Sequence, residues 1–239
     1  MQARGDSFFS TIRSDRIVSF PDGLGGKTMS YMMLHFLDAQ KTLTAHSDWI
    51  KDCLTATHRR ADSLMSLPAL DVVVKTGNRV VPEKGHSGFC PEPGIVYVTV
   101  DPDNPAFCQN AAQSLERMFA HELHHAARWA GPGYGTTLGE ACVSEGLAGH
   151  FVLELFGGEP ELWECINAEL IHAYLPQLHQ DWLCTDYDHS KWFYGAGDMP
   201  RWLGYTLGFN LVASYLAARP ERRASQLAHT EADAFSVFI

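Results

Sequence analysis

The chain has 239 residues, 46% of them hydrophobic, and a formal net charge of -10. That length and apolar content suffice for one large domain, or two subdomains sharing a cleft, and exclude a disordered chain. The acidic balance argues against nucleic acid and anionic membrane as partners, because both are recognised by cationic surfaces.

The opening residues Met1 to Ser7 carry no apolar h-region, and no later run approaches the roughly 18 apolar residues of a membrane-spanning helix. A cytoplasmic protein is therefore expected. Arg16-Ile17-Val18-Ser19-Phe20 reads as an early strand or arm, with a loop after it at Pro21-Asp22-Gly23. From about Tyr31 to Met65, apolar residues recur at helical spacing (Phe36, Ala39, Leu43, Ile50, Leu54, Ala61, Leu64) and predict one long helix or two in succession, closed by Pro68. Asp71 to Thr76 is β-branched and bounded by Gly77-Asn78, which predicts a strand. Residues 85–94 are rich in Gly and Pro and read as a connector into a second strand, Ile95 to Val100.

Asn110 with Gln113 has the pattern of an N-cap and its reciprocal partner, and Gly131-Pro132-Gly133 is a strong stop, so a helix of about 20 residues is expected between them. Thr136 or Thr137 then caps a second helix through about Phe156. A helical segment from about Leu162 to Leu178, an aromatic loop over 182–200 and a helix from Arg201 to Ala218 follow, with a short helix at the end of the chain. The six cysteines (Cys53, Cys90, Cys108, Cys142, Cys165, Cys184) include no C-x-x-C pair and are expected to be buried, reduced thiols.

The chemistry is carried by His121-Glu122-Leu123-His124-His125, an H-E-x-x-H motif inside the first of these helices. Two His four residues apart are separated by about 400° and project from one face about 6 Å apart, so they can share a zinc ion. Glu122 lies where it can reach a water on that metal, whereas His124, about 60° off the face, reads as a neighbour. Zinc needs a third ligand. The next helix offers Glu145, set in an apolar stripe of Leu138, Ala141, Cys142, Ala148 and Val152, where a carboxylate is costly unless it is paired or metal-bound. The alternatives are an ion pair of Glu145 with Arg128 or Arg201, or Glu140 or His150 as ligand in its place. Arg128 is expected either to hold a carboxylate near the site or to face solvent, and His86, His172, His179 and His229 read as surface residues.

His121-Glu122-x-x-His125 followed by Glu145-Gly146-Leu147-Ala148 resembles the gluzincin arrangement of thermolysin-like metallopeptidases. Together with Pro200-Arg201-Trp202-Leu203-Gly204-Tyr205-Thr206-Leu207-Gly208, these residues are similar to a bacterial family of predicted zinc-dependent proteases filed as a domain of unknown function, over roughly residues 70–218. The resemblance implies an α+β, zincin-like fold: a small twisted sheet over an active-site helix, with a helical lower subdomain. It implies one domain over 1–239, with 1–110 as the upper part and 111–239 as the lower. Strand 95–100, just ahead of the motif helix, would then form the cleft rim that pairs with a substrate backbone, or else be an ordinary sheet strand. One departure stands out: thermolysin carries an Asp four residues after its Glu ligand, and this chain has Gly149. The groups that orient the imidazoles must come from elsewhere, with Asp198 or backbone carbonyls as candidates.

The expected function is a cytoplasmic zinc metallopeptidase acting on peptide or protein substrates. One Zn2+ per chain would be held by His121, His125 and Glu145, with Glu122 as general base. Tyr205, from the element shared with the family, is the first candidate for oxyanion donor, ahead of His189 and Tyr194. The rivals are a zinc hydrolase of a non-peptide amide and a non-catalytic, zinc-stabilised regulatory protein; a purely structural site does not require Glu122.

Overall fold

The computed structural model describes residues 30–239. The expected strand at Arg16 to Phe20 lies outside the described residues.

A strand, β1 (Met32–Leu37), stands where helix was expected, and helix α1 (Ser47–Leu64) begins only ten residues later. The helical spacing of Phe36, Ala39 and Leu43 is accidental, because it runs across a turn. The Asp38 carboxylate accepts from the Leu43 N–H at 2.8 Å and the Thr44 hydroxyl at 2.7 Å, ending the strand with a local side-chain-to-backbone turn. Strands β2 (Leu70–Thr76) and β4 (Ile95–Val100) fall within a residue of expectation. Residues expected to be a connector form β3 (His86–Glu92), antiparallel to β4. Gly88 and Pro91 give β3 little intrinsic strand preference, and an outer position is where a sheet tolerates Pro.

The sheet order is β1-β2-β4-β3, with β1–β2 and β2–β4 parallel. β4 is therefore interior and cannot be the cleft rim. The outer strand on that side is β3, whose outer edge, apart from a bridge between His86 and Val81, pairs with no strand among the described residues. Val72, Val74, Val96, Val98 and Val100 line the inner face at zero exposure and pack with α1 and with Leu115, Phe119 and Leu123 of the motif helix.

That motif helix, α3 (Ser114–Arg128), is shorter than expected, because α2 (Pro105–Gln109) and a kinked turn with left-handed Asn110, Ala112 and Gln113 precede it. Asn110 still serves its start, accepting from the Leu115 N–H at 2.8 Å, but its amide donates to Glu116 rather than Gln113. Helix α4 (Leu138–Phe156) opens with the expected cap, a Thr137 and Glu140 capping box. The expected helix at 162–178 is interrupted: a 3-10 turn at Leu162–Glu164 precedes α5 (Ala168–Asp181), which Asn167 caps. A short helix, α6 (His189–Tyr194), lies within the expected loop, and α7 (Leu203–Ala218) follows. The chain ends in 3-10 turns. No helix among the described residues is long and apolar enough to cross a membrane.

Among the described residues, the buried apolar side chains gather in one cluster under the sheet and another among α4, α5, α6 and α7. Helix α4 belongs to both, through Phe151 and Val152 in the first and Leu138 to Leu147 in the second. Its contact with α7 is a backbone approach: a Cβ on Gly146 would lie 2.1 Å from the Gly208 carbonyl oxygen, and one on Gly208 2.0 Å from the Cys142 oxygen. Ala at 208 gains helix propensity of about 1 kcal/mol. The clash is with backbone, however, so G208A is expected to lower the melting temperature by about 2–10 °C, on an overpacking cost of roughly 1–3 kcal/mol. A melting temperature at or above wild type in a thermal scan would remove this contact as a constraint. Of the cysteines, all free, Cys53, Cys90 and Cys142 are buried, but Cys108 and Cys165 are exposed.

Candidate metal centre

The 3.6-residue period of α3 puts His121 and His125 on one face, with ring centroids 4.7 Å apart and their Nε2 atoms 3.0 Å apart. Helix α4 returns beside it and brings Glu145 Oε2 to 2.9 Å from His121 Nε2 and 3.5 Å from His125 Nε2. One donor atom from each residue lies within 4.8 Å of the others, a group that could hold a metal ion. Two nitrogens on one tetrahedral zinc with bonds of about 2.0–2.1 Å stand about 3.3 Å apart, so these separations fit that ion. Glu145 pairs with neither Arg128 nor Arg201. Arg201 binds Glu83, and Glu140 and His150 are committed elsewhere, to the Thr137 cap and to the Phe209 carbonyl.

The second carboxylate oxygen of Glu145 accepts from the Tyr134 hydroxyl at 2.8 Å, a contact nothing in the spacing foretold. Tyr134 reaches back over the site because Gly133 and Gly135 on either side adopt φ of +72° and +96°. Ser144 fastens this loop, donating to the Tyr134 carbonyl at 2.8 Å and accepting from Arg128 Nε at 2.8 Å. Arg128 is thus neither exposed nor bound to a carboxylate. It is 1% exposed, and its remaining bonds go to the carbonyls of Ala228 and Thr230, so it clamps the C-terminal segment.

Burial alone would push Glu145 up, but the charges of His125 and His121 and their hydrogen bonds outweigh it and hold the carboxyl far below its ordinary range. The reciprocal holds at His121, where burial opposes charge but the bond and charge of Glu145, with the charges of Glu122 and Glu164, raise the imidazole above its ordinary value. Glu122 is buried beside the cluster, and burial raises its pKa, with His125 and His121 pulling the other way. It lies against β3: a Cβ on Gly88 would come within 2.4 Å of Glu122 Cγ and 2.6 Å of its Oε1. Glycine at 88 leaves the room that the carboxylate occupies.

The three expected donor candidates group on the α6 and α7 side. Tyr205 packs edge-on against Phe193 at 5.1 Å and is hydrogen-bonded to Tyr194. Burial, then the Glu145 charge, puts its phenol well above 10, so it keeps its proton at neutral pH. His189 stacks on Phe193 and stands 6.1 Å from the Tyr134 ring. His124 points away from the cluster to the Ala224 carbonyl, as a neighbour should. His172, His179 and His229 are exposed, but His86 is buried and hydrogen-bonded to Ser114, a correction. Asp198 is exposed, and no imidazole hydrogen bond runs to it.

A family described as "Predicted Zn-dependent protease (DUF2268)" matches residues 50–236. Among curated proteins, "Uncharacterized protein YjaZ" of Bacillus subtilis (strain 168) is 31% identical over 131 residues, covering 48% of this chain and 47% of that one. "Uncharacterized protein YjfC" of the same organism is 33% identical over 85 residues, covering 34% and 27%. The chain spans about half the length, or less, of the curated relatives it matches. No solved structure matches.

Proposed function

The chain belongs to the family of predicted Zn-dependent proteases, and from that premise we propose that it is a zinc metallopeptidase of gluzincin type. The observation that carries this reading is the convergence of His121, His125 and Glu145 donor atoms beside a buried, unligated Glu122. Those three residues hold one zinc per chain, and the sheet over α3, with β3 along its flank, supports a zincin-like fold. Bound zinc supplies a water that ionises near neutral pH and a Lewis acid for the scissile carbonyl. Glu122, its pKa raised by burial, takes the proton from the attacking water and passes it to the leaving amine. Tyr205, still a phenol at neutral pH, donates to the developing oxyanion. An extended peptide lies along the edge of β3 that no strand among the described residues pairs with, making main-chain hydrogen bonds next to Gly88, where no side chain stands between strand and Glu122.

Digestion of a peptide library, read by mass spectrometry, tests the function. Cleavage is expected with zinc-loaded protein, is expected to stop on chelation, and should return when zinc is restored. An uncut library in the presence of fully loaded protein would leave the peptidase reading without support. For Tyr134, Y134F is expected to weaken zinc binding by about 10–100-fold, the usual cost of losing a group that orients a ligand. Competition with a chromophoric chelator measures this, and an unchanged affinity would reduce Tyr134 to a packing residue.

A further inference from the structure

Both motif imidazoles turn Nε2 toward Glu145, so a metal-loaded site requires each to carry its proton on Nδ1 and to find an acceptor for it. Next to Glu145 on α4, one turn further on, is Gly149, and its space is taken by Glu164: a Cβ on Gly149 would lie 2.2 Å from Glu164 Oε1. Glu164 is held rigidly. Its Oε2 accepts from the Glu161 N–H at 2.7 Å, and its turn is fastened to α7 where the Thr206 hydroxyl donates to the Trp163 carbonyl at 2.8 Å.

The other oxygen, Oε1, is buried and has no hydrogen-bond partner among the described residues, on a side chain only 4% exposed. Nearby cations do not serve it: Arg117 bonds to Glu161 and the carbonyls of Gly157 and Glu159, and Lys84 pairs with Glu161. A buried carboxylate left in that state is a net cost to folding. Its charge nevertheless bears on His121, and that of His121 on it. Burial lifts its pKa to about 7, against the opposing pull of the Glu161 N–H bond on Oε2 and of the His121 charge.

We infer that Glu164 is a positioning residue of the metal centre, its Oε1 accepting the Nδ1–H of His121 once Nε2 is given to the metal. The assignment rests on the zinc reading above. It explains the glycine at 149 as the slot for a carboxylate delivered from the next turn of chain. The sequence could not place it, because Glu164 reaches the space at Gly149 only through the docking of its turn against α4 and α7.

The test is metal affinity by chelator competition in wild type, E164Q and E164A, together with the visible spectrum of each Co2+-loaded form and the melting temperature of each metal-free form. E164A is expected to bind zinc about 10–100-fold more weakly than wild type. E164Q, whose single amide oxygen can accept from either the Glu161 N–H or the His121 Nδ1–H but not both, should be weakened by an intermediate amount. Both should shift the cobalt bands, while metal-free E164Q melts no lower than wild type because it has lost an unpaired buried charge. Zinc affinities within about twofold of wild type and an unshifted cobalt spectrum overturn the inference, and E164Q decides alone if E164A does not fold. Wild type that takes up no zinc overturns the metal centre itself, a separate outcome.

Discussion

Replacing Glu122 by Gln is expected to reduce peptide hydrolysis by about 10²–10⁴-fold, the range for loss of a general base, while the protein keeps its zinc. The separation follows from the site's construction. Glu122 lies one residue from His121 but its side chain faces β3, where Gly88 leaves space for it, and it belongs to no contact among the three donor atoms. Gln has the same shape and fills the same slot, so packing is kept and the change is confined to proton affinity. Zinc content by elemental analysis and cleavage rates on a peptide substrate give the two readouts. E122Q that retained most of the wild-type rate would remove Glu122 from the base role. A variant that lost both zinc and activity would show that the carboxylate helps hold the metal.

How much of this was legible before the structure depends on the range of the interactions. The motif spacing on α3 and the Glu in the apolar stripe of α4 are local patterns, as is the Thr137 cap, and they led to the residues that meet. Strands fared unevenly. Asp71 to Thr76 and Ile95 to Val100 carry their own β-branched preference, whereas β3 contains Gly88 and Pro91 and exists because β4 pairs with it. Reading β3 as a connector left β4 open to an edge role, and its interior position makes it an ordinary sheet strand. Tyr134, Arg128 and Glu164 owe their surroundings to contacts between elements distant in sequence: a loop folded back by two glycines, a clamp on carbonyls about a hundred residues on, and a glycine slot. No periodicity reports such contacts.

Replacing Glu145 by Ala should reduce zinc affinity by about 10²–10³-fold, taking the roughly 10–16 kcal/mol of a four-ligand zinc site as about 2.5–4 kcal/mol for each ligand. Two imidazoles on α3 would remain, too few to hold zinc tightly at a catalytic site. The metal-free protein offers a second readout with a definite sign. Glu145 has a folded pKa depressed below its ordinary 4.5, so the stability it contributes is present above pH 4.5 and is lost as pH falls through the depressed value. His121 has a folded pKa raised above its ordinary 6.5, so its contribution is full below pH 6.5 and is lost as pH rises through the raised value. Both are in force between pH 4.5 and 6.5. Metal-free wild type should therefore exceed E145A in melting temperature by the widest margin in that window, and the margin should narrow on either side. Zinc reverses the upper limb: metal ligation needs neutral imidazoles, so loaded wild type gains on E145A as pH rises through neutrality. Unchanged zinc occupancy in E145A would mean that the third ligand is another group, and a pH-independent melting difference would mean that Glu145 and His121 are not the ion pair their 2.9 Å separation describes.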